Sequence, residues 1–389
     1  MMPLETRRVT LLSAAAYAGM FVVGIVMALL GAILPALADH LQFSTADIGT
    51  LFLVMNGAML ASVSVLGLAI DRFGMKPPMA LGPLFVAAAL VIVARAGAFA
   101  NLLPAVILLG IGGGAVNSAT NTLVADLHED PRRKSAALNV LGVFFGFGAL
   151  FLPFLIGTLL AWFSVGSLVL GVAALCSLAG IYAAVLPFPA PKQGHALPIA
   201  DMPRFLRSPL VLSLAYLLFF ESGVEFTLGG FISVFVKQEF ALSLAAIAWI
   251  LAGYWASIMI ARALLGRIAL HGSPHRIVTW CALGACAGAI LAALAPSAGV
   301  AAFAVTLTGL SLAGVFPTVL GIAGARFESH SGTVFGILFT VGLSGGMTLP
   351  WLAGHIGAAL GLRWVMAMVA VAFAVIFTLS RVAADLDMR

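Results

Sequence analysis

Gly67-Leu-Ala-Ile-Asp71-Arg72-Phe-Gly74-Met-Lys76 gathers three charges into ten residues of a chain that carries few. Of its 389 residues, 8% are charged and 62% are hydrophobic. A soluble domain carries about 25% charged residues, so a chain of this composition needs lipid as its solvent. The stretch ends one apolar run, 47–70, and the next occupies 78–97. Outward from it, further runs occupy 9–37, 102–125, 135–160, 165–187, 208–236, 244–267, 277–295, 300–325, 331–357 and 363–381. A helix needs roughly 20 apolar residues to cross a bilayer. The expected fold is an all-α membrane protein of twelve transmembrane helices, with no room for a separate soluble domain. Run 9–37 follows Arg7 and Arg8 as a signal peptide would. It is far longer than the roughly 7–15 residues of a signal h-region, so it reads as the first span.

The bases fall in alternate gaps. One side holds Arg7, Arg8, Arg72, Lys76, Arg132, Arg133, Lys134, Lys192, Arg204, Arg207, Arg267, Arg276, Arg326, Arg381 and Arg389, fifteen of the nineteen. The other side holds Arg95, Lys237 and Arg363, while Arg262 lies inside a run. Cytoplasmic loops carry the Lys/Arg excess. Both termini are therefore expected in the cytoplasm, in a cell membrane of the bacterial inner-membrane type. The formal net charge of +5 follows from these topology signals, and no basic tract interleaved with aromatics points to nucleic acid.

Other chemistries lack their residues. Cys176, Cys281 and Cys286 lie inside runs without metal-ligand or CxxC spacing and read as packing residues. The seven histidines form no HExxH-type cluster. Gly110, Gly112, Gly113 and Gly114 are not followed by Gly-Lys-Ser/Thr, so they suit close helix packing better than a phosphate loop. No metal, cofactor, ATP-driven step or enzymatic activity is expected.

The runs divide into two sixes, 1–187 and 208–389, joined by 188–207, a polar linker with four prolines. A shift of 197 residues lays Leu152-Pro153-x-x-x-Gly157 on Leu349-Pro350-x-x-x-Gly354, Gly148 on Gly345 and Asn121 on Thr318. Gly31 falls over Gly230 and Ser44 over Ser243. Parallel six-helix repeats with the solute site between them are one way transporters are built.

The quoted stretch resembles the Gly-x-x-x-Asp-Arg-x-Gly-x-Lys/Arg signature of the major facilitator superfamily, at the expected place between spans two and three. The resemblance implies two parallel-repeat halves that alternate access, with Gly67, Asp71, Arg72 and Gly74 forming a cytoplasmic latch. Asp126 is the candidate partner of Arg72, and Arg262-x-x-x-Gly266-Arg267 is the degraded copy in the second half. Gly112-Gly-Gly-Ala-Val-Asn117-Ser-Ala-Thr-Asn121 and Leu138-Asn139 to Ala149 resemble spans four and five of fucose-permease-like sugar transporters. Glu221-Ser-Gly223-Val-Glu225-x-x-x-Gly229-Gly230 is similar to span seven of glucose-transporter-like proteins. Where fucose permeases carry carboxylates on spans one and four, this chain has Gly31 and Asn117, and Phe145 stands at the asparagine of their span five.

Of fourteen acids, Glu221 and Glu225 alone lie well inside a run. A charge at membrane depth costs about 2.5–3.5 kcal/mol, and residues four apart share a helix face. At ~1.5 Å per residue, Glu221 sits ~18 Å and Glu225 ~24 Å beyond Pro209. Two carboxylates in low dielectric repel, and a bound cation relieves them, so both are candidates for H⁺ or Na⁺ coupling. The alternative is a structural pair with Arg262 or Lys237. Arg262 lies only ~8 Å from its end of the membrane, a poor match to Glu225. Asn56, Asn117, Asn121 and Asn139 are candidates for solute binding, because an amide both donates and accepts; interhelical bonding is their other use. Thr318 joins them through the repeat, and Phe145 and Trp255 are candidates for the cavity wall. The expected function is cation-coupled uptake of a small neutral polyhydroxylated solute such as a sugar, by a monomer. A proton-driven exporter of drugs or metabolites and a passive uniporter remain alternatives.

Overall fold

The computed structural model describes residues 4–127, 131–189, 202–268 and 273–388. They contain helices and no strand, and twelve helical segments are long and apolar enough to cross a membrane. The helices are α1 (Leu4–Leu41), α2 (Thr45–Phe73), α3 (Lys76–Ala94), α4 (Leu102–Leu127), α5 (Pro131–Leu159) and α6 (Val165–Val185). After the short α7 (Met202–Phe205) come α8 (Pro209–Phe240), α9 (Leu244–Ile268), α10 (Pro274–Ala293), α11 (Ala298–Leu312), α12 (Val315–Arg326), α13 (Ser331–Leu360) and α14 (Leu362–Asp387).

The tenth run, expected as one helix, is two. Pro317 lacks the N–H that would bond the Ala313 carbonyl, so the ladder breaks between α11 and α12. The turn in the opening motif is built on Gly74, whose φ of +79° lies in the left-handed region. A side chain there would be strained, which is why the motif has glycine between α2 and α3.

Two compact units divide the chain: Met1–Gln42 with Gly57–Gly194, and Phe43–Asn56 with His195–Arg389. In the first unit, α1 packs on α5 and α4, and α3 packs on α4 and α6. In the second, α8 packs on α13 and α14, and α10 packs on α11 and α14. The second unit also takes in the first turns of α2, which sequence reasoning assigned to the first half. There Gly49 lies against the backbone of Pro350 and Trp351, and Phe52 meets the rings of Phe226 and Phe231 edge-on and stacked.

The glycine register seen in the sequence reappears as one contact made twice. A Cβ on Gly148 would collide with the Phe21 carbonyl oxygen, and a Cβ on Gly345 with the Phe219 carbonyl oxygen. Both glycines let two helix backbones touch, which is how helices associate in lipid without a hydrophobic drive between them. Gly345→Ala should lower the thermal unfolding temperature of the detergent-purified protein, because overpacking costs about 1–3 kcal/mol. An unchanged transition would show that α8 and α13 do not need this approach.

Ionic ties pin the ends of the second unit. Arg363 donates to Glu239 Oε2 at 2.7 Å and to the carbonyls of Ala293 and Ala295 at 3.1 and 3.0 Å. It thus caps α10 and joins it to the ends of α8 and α14. At the opposite ends, Asp387 of α14 holds His275 Nε2 at 3.0 Å and Arg326 Nε at 3.5 Å.

Candidate functional site

Helix α8 begins on a cap. Ser208 Oγ accepts from the Val211 N–H at 3.5 Å, and Pro209 follows at a position where its missing N–H costs nothing. From there the helix runs unbroken for 32 residues and is the most enclosed element of its unit. Its i,i+4 geometry puts Glu221 and Glu225 on one face. Both are buried, Glu221 completely.

Facing them is α9. Arg262 Nη2 donates to Glu225 Oε1 at 3.1 Å, with the Glu225 side chain 8% and the Arg262 side chain 23% exposed. This corrects the depth argument that separated the two. Counting rise from each helix end assumes that the ends are level, and it omits the long arginine stem, which carries its charge well away from its own Cα. Arg262, expected as a gating residue, is thus the counter-ion of Glu225.

Glu221 is held differently. Ser222 Oγ donates weakly to its Oε2 at 3.3 Å, while Oε1 has no hydrogen-bond partner. The charges of Glu225 and Arg262 act on it, and its carboxyl is within hydrogen-bonding reach of that of Glu225. Two ionised carboxylates offer acceptors only, so the pair becomes a bond when one of them carries a proton.

Tyr254 and Trp255 complete the cluster from α9. Both are fully buried, their rings meet edge to face at 5.2 Å, and neither Tyr254 Oη nor Trp255 Nε1 has a partner. Tyr254 lies within the field of Glu221, Glu225 and Arg262. The sequence alone assigned this tyrosine no role. The available signal was its hydroxyl, a polar group at membrane depth on the helix that supplies Arg262. Asn56, also of this unit, is buried, donates to the Phe52 carbonyl at 3.0 Å and leaves Oδ1 without a partner. Thr318 is half-buried on α12, one residue past Pro317.

In the first unit the asparagines bond to each other along one helix. Asn121 Nδ2 donates to the carbonyl and to Oδ1 of Asn117, at 2.8 and 3.1 Å. Asn117 is half-buried and Asn121 exposed, so these amides present a joined polar face. Phe145, expected on a cavity wall, is half-buried with its carbonyl against Gly24. Its neighbours Phe144 and Phe147 line an apolar cleft with Tyr17 and Phe21, and the Tyr17 and Phe144 rings stack at 4.8 Å.

The opening motif is described in part. The side chains of Gly67, Asp71 and Asn139 lie outside the described residues. Arg72 is exposed, with its guanidinium 5.4 Å from the centroid of the Phe73 ring, and Asp126 is half-buried at the end of α4. Among the described residues no group of three or more His, Cys, Asp or Glu could hold a metal ion.

Residues 16–228 and 214–385 both match the family model of the Major Facilitator Superfamily. Bypass of stop codon protein 6 of Saccharomyces cerevisiae is 24% identical over 375 residues, covering 86% of this chain and 74% of that protein. A bacterial homologue of the human lysosomal transporter Spinster, solved in an inward-facing conformation, superposes with a TM-score of 0.77 at 16% identity, covering 100% of this chain and 98% of the other. A variant of the nucleoside transporter NupG gives 0.77 at 12% identity, covering 96% and 99%. A variant of the E. coli fucose:proton symporter FucP gives 0.66 at 19%, covering 95% and 98%. At such identities these structures share a fold with this chain and nothing finer.

Proposed function

The chain belongs to the Major Facilitator Superfamily, a family of multi-pass membrane transporters rather than enzymes, and from that premise we propose that it couples solute movement to a cation. The solute is a small neutral polyhydroxylated molecule such as a sugar, and the coupling ion is H⁺ or Na⁺. The observation that carries this reading is the charge cluster of buried Glu221 and Glu225 on α8 with half-buried Arg262 on α9. Isolated charges are expensive at membrane depth and mark ion or substrate pathways there. One net negative charge remains in the cluster when both acids are ionised, and a cation cancels it.

The solute is assigned to groups that donate and accept without charge, Asn117, Asn121 and Asn139 in the first half and Asn56 and Thr318 among the helices of the second, with Trp255, a donor only, as a wall residue. Asp71, Arg72, Gly74 and Asp126 act as the latch that holds one face of the transporter closed. The alternation of bases along the sequence orients both termini to the cytoplasm.

Thermal-shift screening of the purified protein against sugars, amino acids and drugs identifies the solute, since a ligand that binds only the folded state raises its stability by mass action. Uptake of the identified solute into proteoliposomes, under an imposed pH or Na⁺ gradient, then tests coupling. Accumulation above the external concentration is expected with one of the two gradients. Equilibration without accumulation under both would make the protein a uniporter, and loss of preloaded solute driven by an inward proton gradient would make it an exporter. Asp71→Asn should slow uptake while leaving the unfolding transition in place; wild-type kinetics in that variant would remove the latch.

A further inference from the structure

Glu221 and Glu225 are one turn apart, yet their surroundings divide the work between them. Glu225 has a permanent counter-ion, because Arg262 donates to it at 3.1 Å and stays protonated at any physiological pH. Glu221 has none of its own. It is fully buried, receives one long bond from Ser222, and keeps Oε1 unpartnered. An ionised carboxylate left without adequate bonds in low dielectric is costly, and neutralisation is the usual relief.

A metal cation does not suit the place. Hard cations take about six oxygen ligands. Here one Glu225 oxygen is engaged by Arg262, whose charge also acts on Glu221 and opposes a second cation beside it. Besides α9, the helices packed against α8 are α13, α14, α12 and α11, and among the described residues none of these four supplies a charge that acts on Glu221. The titratable and charged groups that act on Glu221 are Glu225 on its own helix and Arg262 on α9, with Tyr254 on α9 within the field of all three. A proton needs no coordination sphere. On Glu221 it cancels the excess negative charge and turns two facing acceptors into a donor and an acceptor.

Resting on the cation-coupled reading above, we propose that the coupling ion is a proton, that Glu221 carries it, and that Tyr254 is the positioning hydroxyl of this site. When Glu221 is ionised, Tyr254 Oη, which is buried without a partner in this structure and lies in the field of both acids, is the hydroxyl that turns to donate to it. When Glu221 is protonated, its O–H donates to Glu225, whose Oε1 accepts from Arg262. On loading, an O–H bond of hydronium from one side of the membrane breaks as the O–H bond of the Glu221 carboxyl forms; on release that bond breaks and the proton passes to water on the other side.

Infrared spectroscopy of the reconstituted full-length protein tests this without knowledge of the solute. Near neutral pH, exposed carboxyls are ionised, since their ordinary pKa values are about 3.9–4.3. The carbonyl-stretch band of a protonated acid should therefore be visible in the wild type around neutrality and titrate away as pH rises. It should be absent from Glu221→Gln, titrate away at lower pH in Glu225→Gln, where Arg262 alone balances the remaining acid, and be the same in sodium and choline buffers. Tyr254→Phe should keep the band and move its midpoint. Glu221→Asp, which keeps a carboxyl, should keep a band at shifted frequency, so the assignment stays readable even if the Gln variant does not fold. A band of wild-type amplitude in Glu221→Gln, or one abolished by Na⁺ at constant pH, would overturn the assignment. An unmoved midpoint in Tyr254→Phe would remove Tyr254 from it. Failure here leaves gradient-driven uptake to be judged by the proteoliposome assay, so the two readings can fail separately.

Discussion

Arg262→Ala should destabilise the protein by about 3–5 kcal/mol, the usual cost of breaking a buried ion pair from one side. The Arg262 guanidinium is 3.1 Å from Glu225 and is the positive charge acting on both buried acids of α8. Its removal leaves two neighbouring carboxylates with no counter-ion. Thermal unfolding in detergent reads the loss directly. The double variant Glu225→Gln with Arg262→Ala removes the orphaned charge as well as the pair, and should regain a large part of the stability. If the double variant loses the sum of the two single losses, the residues are energetically independent, and the pair seen here does not hold α8 to α9.

Glu221→Gln should abolish accumulation while sparing exchange. Glutamine keeps the size of the side chain and its capacity to accept from Tyr254, but it cannot bind and release a proton. With the carrier permanently neutral at this position, solute should still exchange between the two sides of a proteoliposome, while a pH gradient no longer drives it uphill. Loss of exchange and accumulation together would place Glu221 in solute binding instead. Preserved uphill transport would exclude it from coupling altogether. Glu225→Gln should behave differently: Arg262 loses the acid it bonds at 3.1 Å and keeps only the field of Glu221, so stability falls along with transport.

The same residues show how far sequence reasoning reached at the site. Glu221 and Glu225 were legible because an acid inside an apolar run is rare and costly, and their spacing of four puts them on one face without any tertiary information. Their partner was not legible. Arg262 lies 37 positions away on another helix, and axial rise along two separate helices does not report where a flexible stem ends. Tyr254 was hidden for a related reason. A tyrosine in mid-span is ordinary as a packing residue, and only the acids and the arginine around it make its hydroxyl a chemical group.

At the level of the fold, the apolar runs and the repeat of glycines and prolines determined twelve helices in two similar sets. A bilayer demands internally bonded backbone, and a helix satisfies that demand from local sequence alone. The Gly148 and Gly345 contacts show that the repeat marks equivalent helix seams. Tertiary structure decided what depends on non-local packing. It assigned Phe43–Asn56 to the second unit through Gly49 and Phe52, and it gave Arg262 to Glu225 while leaving Glu221 unpaired. Hydrophobic periodicity shows that a segment is buried. It does not show which helix buries it, because in lipid every apolar neighbour is nearly equivalent and shape and hydrogen bonds make the choice.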